Sequence, residues 1–280
     1  MPKLSIITIN LNNKEGLEKT IASVVNQTYQ DFEYLIIDGG STDGSVDVIK
    51  KYENHIHDWV SEKDTGIYNA MNKGIRKAKG EYLLFLNSGD YLYEKEVLQK
   101  FFSENPQEDI VYGDIVLEFS ELNSHKTIKL KEKSIKKTLF WSKSLPHPCS
   151  FIKKELFLKI GLYNESFKIV SDCEFFVKAI FKKKASYKRI PLKISVFNNQ
   201  GISSNPKLLK QKQQEINLVM KQYLNKFEYF LYLIVARMKK LLFIMVIRKF
   251  LRKILIQTGI LKIIHNKKII FRFIQNKKLF

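Results

Sequence analysis

The sequence has few cysteines and lacks the motifs that usually organise them. Cys149 and Cys173 are the only two among 280 residues, and neither belongs to a CxxC pair. We therefore expect neither a structural disulfide nor a zinc cluster. The chain opens with Met1-Pro2-Lys3-Leu4 and enters an apolar segment at once, without the pattern of a secretory signal peptide. These absences predict a cytosolic protein with reduced thiols.

Long hydrophobic runs and dinucleotide-binding glycines are also missing. No apolar run reaches the roughly 18–20 residues that a membrane-spanning helix needs. The first apolar segment is followed by Asn10-Leu11-Asn12-Asn13 instead of GxGxxG, which argues against a dinucleotide-binding oxidoreductase. A hydrophobic content of 45% still indicates a folded protein. The length allows one sizeable core with an appendage.

Acidic residues are scarce in the last quarter of the chain. Residues 206–280 contain 18 Lys and Arg against 2 Asp and Glu, a balance of +16. Residues 1–205 contain 30 against 26, a balance of +4, and the two parts sum to the net charge of +20. This asymmetry predicts a nearly neutral domain over 1–205 and a separate basic extension over 206–280.

The extension alternates apolar and basic segments. Apolar runs at 227–236 and 241–247 are separated by Arg237-Met238-Lys239-Lys240. This pattern predicts basic amphipathic helices that lie on an anionic membrane surface. The alternative is a helix that packs on the body or on a partner subunit, with lysine stems covering apolar surface. We do not expect nucleic-acid binding, since the segment is too apolar and contains no recognised module.

Strand-like and helix-like segments alternate at the start of the chain. Short apolar runs at 4–9, 32–37, 59–61 and 82–86 predict strands, and helical spacing at 17–25, 45–52 and 66–78 predicts helices. This order predicts a doubly wound α/β sheet, in which ligands bind beyond the carboxyl ends of the strands. Asn10, Asp38, residues 61–64 and residues 87–90 follow those strands and should therefore meet at one edge.

The second half of the chain has a different pattern. We predict strands at 109–119 and 188–197, and helices at 156–162 and 171–181. Residues 127–137 are highly charged and predict a hairpin or loop. Residues 145–153 contain Pro146 and Pro148 and predict an extended segment.

Five segments of the chain are informative when they are taken together. They are LSIITINLNNKEGLEKTIASVVNQTYQDFEYLIIDGGSTDGS, SEKDTGIYNAMNKGI, GEYLLFLNSGD, PHPCSFIKKELF and LYNESFKIVSDCEFF. In this order they resemble family 2 glycosyltransferases with the GT-A fold, especially bacterial enzymes of colanic-acid, capsule and O-antigen assembly. The resemblance implies a Rossmann-like mixed sheet and transfer of a sugar, with inversion, from a nucleotide-diphosphate donor, above all a UDP-sugar. It implies an acceptor that is a surface polysaccharide on a lipid carrier, and a location at the inner face of the cytoplasmic membrane.

The resemblance also assigns donor-binding residues. Thr8 and Asn10 match positions that hold the base and ribose, and Asp38 matches the acidic residue that accepts a hydrogen bond from the uracil imide. Asp38 could instead serve only as a turn-former before two glycines. Asp64 matches a segment beside the donor. Lys73 and Arg76 either approach the phosphates or form a solvated helix face.

The segment Asn87-Ser88-Gly89-Asp90 matches the DxD-type metal motif of the family. Asn87 and Ser88 are assigned to the donor, and Asp90 to a divalent cation, Mg²⁺ or Mn²⁺, that screens the diphosphate. Asn87 and Gly89 replace frequent aspartates, which predicts weaker metal affinity. The alternative is a β-turn in which Asp90 caps a helix near Glu94.

Inverting transfer needs one general base to deprotonate the acceptor hydroxyl. The resemblance assigns this role to Asp172, which is preceded by Ser171 where the family usually has a second acid. Asp172 could also cap its helix. His147 matches a histidine beside the active site or is structural. The missing acidic residues leave a second interpretation open, a non-catalytic glycan- or membrane-binding scaffold of a polysaccharide assembly complex.

Overall fold

A computed structural model describes residues 2–119, 124–129, 131–132, 135–140, 144–198, 201 and 205–238. The strands are β1 Leu4–Asn10, β2 Phe32–Asp38, β3 Asp58–Ser61, β4 Tyr82–Phe85, β5 Tyr91–Leu92, β6 Ile110–Phe119, β7 Ser124–Ile128, β8 Ser150–Lys153 and β9 Tyr187–Asn198. The α-helices are α1 Lys14–Val25, α2 Ser45–Lys51, α3 Ile67–Lys77, α4 Val97–Ser103, α5 Ile135–Phe140, α6 Lys154–Ile160, α7 Ser171–Val177 and α8 Leu209–Tyr223. The predicted mixed α/β architecture is confirmed.

The strands of the described residues form one mixed sheet in the order β3-β2-β1-β4-β8-β6-β9-β5, with β7 beside β6. Strands β1 to β4 are parallel, because α1, α2 and α3 supply the long crossovers that parallel pairing needs. Strand β8 then runs antiparallel to both β4 and β6. In register, Asn10 pairs with Asp38, and Asp38 pairs with Ser61. Three strands therefore end level at one edge.

The core covers both faces of this sheet. Strand β1 is buried along its whole length, so alternate side chains pack on opposite faces. Ile6 packs in one cluster with Leu17 and Ile21 of α1. On the other face, α3 approaches Ile7 closely at Gly74. The site edge is thus fixed by helices on both sides.

Two segments differ from their predictions. Residues 127–137 contain the end of β7 and the start of α5, whose Ile135 and Leu139 are buried. A four-residue spacing of two apolar side chains gives a short helix one buried face, and the surrounding lysines hide this signal. The predicted extended segment at 145–153 is interrupted by a 3₁₀ turn, His147–Cys149. Pro148 is compatible with that turn because the first residues of a helix need no N–H partner.

The chain divides into two compact units, Met1–Leu224 and Asn225–Phe280. The first unit includes α8 and therefore extends past the predicted boundary at residue 205. The buried Glu215 of α8 accepts the backbone N–H groups of Lys168 and Ile169 at 3.2 and 2.9 Å. Tyr223 donates a hydrogen bond to Glu174 of α7. These contacts attach α8 to the segment that carries Asp172.

In the second unit, residues 226–238 are helical. The helix begins with a capping box, in which Asn225 Oδ1 accepts the Glu228 N–H at 2.8 Å and Glu228 Oε2 accepts the Asn225 N–H at 2.9 Å. The predicted apolar run at 241–247 lies outside the described residues. Among the residues that are described, we find no helix with the length and apolarity to cross a bilayer.

The close approach of α3 to β1 gives a stability prediction. A methyl group at Gly74 would lie 2.5 Å from Ile7 Cγ2, which is fully buried. We expect Gly74→Ala to lower the free energy of unfolding by about 1–3 kcal/mol, because overpacking outweighs the helix propensity of alanine. Urea unfolding followed by circular dichroism measures the change. Arg76→Ala, at an exposed position of the same helix, is the control and should change stability by less than about 0.5 kcal/mol. An equal or higher stability of Gly74→Ala would contradict this packing.

Candidate functional site

Asp38 is the centre of a hydrogen-bond network at the ends of β1, β2 and β3. Its carboxylate accepts from Asn10 Nδ2 at 2.8 Å, from Ser41 Oγ at 2.5 Å and from Ser61 Oγ at 2.6 Å. The backbone N–H groups of Gly40 and Ser41 add contacts at 3.2 and 2.9 Å. Burial alone would raise the pKa of Asp38, but the hydrogen bonds from Ser41, Ser61 and Asn10 outweigh it and lower the pKa. Asp38 is therefore an ionised acceptor at neutral pH.

Asp64 joins the same edge from the loop after β3. A methyl group at Gly39 would lie 3.2 Å from Asp64 Oδ2, which places this carboxylate beside the Asp38 turn. Lys73 Nζ of α3 lies 2.7 Å from Asp64 Oδ1 and 2.6 Å from Glu62 Oε1. Burial would lower the pKa of Lys73, but its two carboxylate partners raise it. Lys73 is thus a cation at the edge of the site, whereas Arg76 is exposed.

The turn from Asn87 to Asp90 is tied to α1. Gly89 has a φ of +99°, in the left-handed region that glycine adopts without strain. Its N–H donates to Thr20 Oγ1 at 2.9 Å, and Thr20 Oγ1 lies 2.6 Å from the Asp90 carbonyl oxygen. Asn13 Nδ2 donates to the Ser88 carbonyl at 3.0 Å. These contacts hold the turn rigidly at the end of β4.

Asp90 points into the protein and does not cap a helix. It is 4% exposed, and its Oδ1 accepts the backbone N–H of Asn198 at 3.1 Å. Burial raises the pKa of Asp90 to about 7, although the nearby His147 and the Asn198 N–H lower it. The helix α4 begins after Glu96 without any side-chain cap.

Asp172, His147 and Asn87 form a second polar cluster. Asp172 Oδ2 lies 3.6 Å from His147 Nδ1, and His147 Nε2 lies 3.2 Å from Asn87 Nδ2. Because an amide nitrogen can only donate, Nε2 is assigned as the acceptor of this contact and Nδ1 as a nitrogen that carries hydrogen. The side chains of His147 and Asp172 keep 16% and 17% exposure. Ligands can therefore reach both of them.

Thr8 is the predicted site residue that the structure does not place at the edge. Its side chain is fully buried, and Oγ1 donates to the Leu86 carbonyl at 2.8 Å and contacts Tyr34 Oη at 3.0 Å. Sequence reasoning also missed two contacts. Ser61 donates a hydrogen bond to Asp38, and its position at the end of β3 was the available signal. Tyr68 donates to Asp172 Oδ1 at 3.1 Å, and nothing in its local sequence marks it.

The protein oxygen atoms at the turn that ends in Asp90 fit a divalent cation only if further ligands come from bound water or from a ligand's phosphates. Among the described residues, no group of three or more His, Cys, Asp and Glu side chains forms a metal centre. Asn87 Oδ1, however, is buried without a hydrogen-bond partner. An unpaired amide oxygen and a buried carboxyl with a pKa near 7 both favour a nearby cation. Asp90 and Asn87 are therefore the two candidate protein ligands for a cation at this turn.

Comparison with known proteins identifies the family of the chain. The fold and the family comparison define a glycosyltransferase with the GT-A fold. The model of glycosyl transferase family 2 matches residues 5–161, and the chain belongs to this family. The predicted family and enzyme class are therefore confirmed.

Among curated relatives, a PGL/p-HBAD biosynthesis glycosyltransferase of Mycobacterium bovis is 29% identical over 210 residues, or 73% of this chain and 80% of the relative. A putative teichuronic acid biosynthesis glycosyltransferase, TuaG of Bacillus subtilis, is 36% identical over 102 residues, or 35% of this chain and 40% of the relative.

Solved structures share the fold at lower identity. TarS 1-349 of S. aureus, in complex with UDP-GlcNAc, has a TM-score of 0.62 and 18% identity over 81% of this chain and 69% of that one. The alignment with a longer S. aureus TarS chain covers 42% of that chain. The mannosyltransferase PcManGT of Pyrobaculum calidifontis, in complex with GDP-Man and Mn2+, has a TM-score of 0.58 and 16% identity over 79% of this chain and 64% of that one.

The raised pKa of Asp90 predicts a pH-dependent stability. Between the unfolded value near 4 and the folded value near 7, the folded state keeps a proton that the unfolded state releases. Stability should therefore fall as pH rises through this range. Asp90→Asn removes that loss, and we expect the variant to be more stable than the wild type by roughly 1–4 kcal/mol at pH about 8.

Thermal unfolding at pH about 5 and about 8, in a chelating buffer, measures this difference. The control is Asp31→Asn, which changes an exposed carboxylate and should follow the wild-type pH dependence. Parallel pH profiles of the wild type and Asp90→Asn would refute the assignment.

Proposed function

We propose that this glycosyltransferase moves a sugar, with inversion, from a UDP-linked donor to a surface-polysaccharide acceptor on a lipid carrier. The observation that carries the proposal is that the Asp38 network lies at the carboxyl ends of β1, β2 and β3, while Asn87, which contacts His147, follows the neighbouring strand β4. A structural neighbour in complex with UDP-GlcNAc supports a nucleotide-sugar donor. The teichuronic acid relative supports a polysaccharide product.

Asp38 would recognise the base. An ionised carboxylate accepts the imide N–H of uracil, and Ser41 and Ser61 can turn away because a hydroxyl rotates freely. Asn10 Oδ1 is buried and has no hydrogen-bond partner, so it offers a second acceptor to the nucleoside. Thr8 would act indirectly by holding β1 against β4. Asp64, with Lys73 beside it, would lie along the donor.

The turn after β4 would receive the diphosphate. Asp90 and the Asn87 amide oxygen would hold Mg²⁺ or Mn²⁺, with water and phosphate oxygens as the other ligands. The bound cation supplies charge neutralisation for the diphosphate leaving group. Ser88, held by Asn13, would place its backbone and hydroxyl beside the same phosphates. The Mn2+ in the mannosyltransferase structure supports this use of a metal.

Asp172 would be the general base. Its carboxylate takes the proton of the acceptor hydroxyl while that oxygen forms a bond to the anomeric carbon. The bond from the anomeric carbon to the diphosphate oxygen breaks on the opposite side, and UDP leaves with the bonding electron pair. The His147 Nδ1–H group faces Asp172 Oδ2 and would orient the carboxylate.

Calorimetric titration of UDP and GDP, with and without Mn²⁺, tests the donor site. We expect UDP to bind more tightly with Mn²⁺ and more tightly than GDP. Asp38→Ala should weaken UDP binding by about tenfold or more, because the acceptor for the imide N–H is gone. Asp90→Ala should lose the Mn²⁺ dependence.

Asp31→Ala is the matched control, since it removes an exposed carboxylate away from this edge. No nucleotide binding under any of these conditions would refute the enzyme site and favour the scaffold interpretation. If the wild type and Asp38→Ala bind UDP with equal affinity, the assignment of Asp38 as the base contact is refuted.

We further propose that the second unit binds the inner face of the cytoplasmic membrane. The helix at 226–238 exposes Phe227 and Phe230 by 69% and 58%, and also Leu233 and Ile234. Residues 229–280 contain 13 Lys and Arg and no Asp or Glu. Exposed apolar side chains with this charge suit an anionic lipid surface. Such binding would bring the enzyme to a lipid-linked acceptor.

Sedimentation with lipid vesicles tests the membrane proposal. The full chain should bind phosphatidylcholine vesicles that contain phosphatidylglycerol, and salt should weaken the binding. Replacement of Arg237, Lys239 and Lys240 by Gln should weaken it by roughly 100-fold, at about 1 kcal/mol per charge. The control replaces the exposed Lys182, Lys183 and Lys184 by Gln, an equal loss of charge in the first unit. Equal effects of the two triple variants would contradict the assignment to the second unit.

A further inference from the structure

We propose that Tyr68 is a positioning residue for sugar transfer, whose hydroxyl holds the Asp172 carboxylate in the orientation that receives the acceptor proton. The inference rests on the proposed role of Asp172 as general base. Tyr68 itself need not touch the donor or the acceptor. It acts through Asp172.

The geometry places one group from a different element against each oxygen of Asp172. Tyr68 of α3 donates to Oδ1 at 3.1 Å, and His147 of the 3₁₀ turn lies 3.6 Å from Oδ2. The Tyr68 contact is the shorter one and meets hydrogen-bond geometry. The hydroxyl therefore limits the rotation of the carboxylate more than the histidine does.

Tyr68 is itself held firmly. It is 5% exposed, and its ring lies 5.7 Å from that of Tyr163. Asn72, one turn further along α3, donates to the Tyr163 carbonyl at 2.9 Å and accepts the Tyr163 N–H at 3.0 Å. Glu165 accepts from Asn69 and Asn72 at 2.9 and 2.8 Å. The loop before α7 is thus fastened to the helix that carries Tyr68.

The Tyr68 hydroxyl remains a donor at every physiological pH. Burial, and then the charge of Asp172, raise its pKa well above the usual value. A phenol that keeps its proton can only support the ionised carboxylate by donating to it. A carboxylate that is already oriented loses less rotational freedom when the acceptor binds. The effect of Tyr68 should therefore be on kcat and not on the affinity for the donor.

Tyr163 provides a matched control in the same aromatic cluster. It is also buried, but its hydroxyl has no hydrogen-bond partner. Tyr163→Phe and Tyr68→Phe each remove one buried hydroxyl and keep the ring. They differ in whether that hydroxyl contacts Asp172.

The experiment measures UDP release by the full chain from UDP-GlcNAc, UDP-glucose and UDP-galactose, with a bacterial membrane fraction as acceptor source. For the sugar that is turned over, Tyr68→Phe should lower kcat by about tenfold or more. The KM for the donor, the calorimetric Kd for UDP and the Tm should stay close to the wild-type values. Tyr163→Phe should keep the wild-type kcat. In an Asp172→Asn background, Tyr68→Phe should cause no further loss of kcat, because the carboxylate that Tyr68 orients is already absent.

An unchanged kcat in Tyr68→Phe overturns the inference. So does an equal loss in Tyr163→Phe, or a loss that multiplies with that of Asp172→Asn. If Asp172→Asn keeps full activity, the proposed general base fails and the inference fails with it. If Asp172→Asn is impaired while Tyr68→Phe is fully active, only the role of Tyr68 is refuted. A wild type that turns over none of the three donors, although it binds UDP, overturns both.

Discussion

The site depends on one buried, ionised carboxylate at the end of β2. Burying a carboxylate away from water costs free energy of folding unless hydrogen bonds replace its hydration. Asp38 receives five such bonds, from the end of β1, from the turn that follows β2 and from the end of β3. The need to satisfy this charge ties three segments together. It also aligns the strand ends at which a nucleotide can bind.

Asp90 lies at the same edge of the sheet as Asp38, but its pKa is shifted in the opposite direction. Both carboxyl groups are buried, but Asp90 accepts one backbone N–H where Asp38 accepts five donors. The pKa of Asp38 is lowered and that of Asp90 is raised to about 7. Burial raises the pKa of both groups, and only at Asp38 do the hydrogen bonds outweigh it. Hydrogen bonds from five donors surround the Asp38 carboxylate, whereas the Asp90 carboxyl accepts the Asn198 N–H and lies near His147.

The sequence predicted the parts of the fold that depend on local patterns. Strands β1 to β4 and their crossovers were predicted because long buried runs and helical spacing are strong signals. Helix α5 was missed because lysines surround its buried Ile135 and Leu139 and hide their spacing. For the site, the sequence predicted which residues lie near the ends of strands, but not how deeply each side chain is buried. Thr8 lies two residues before Asn10, roughly 7 Å further into the sheet, where its hydroxyl binds other strands. The contact of Tyr68 with Asp172 joins residues far apart in the chain, so no local pattern predicted it.

The capping box of Asn225 and Glu228 has a consequence for the evolution of the chain. The first turn of the helix at 226–238 closes through contacts between residues only three apart. Its start is therefore encoded locally and does not require any particular sequence before it. A segment with its own start signal can be exchanged between proteins as one piece. Recombination at this junction would exchange the second unit without removing the contacts that start its helix.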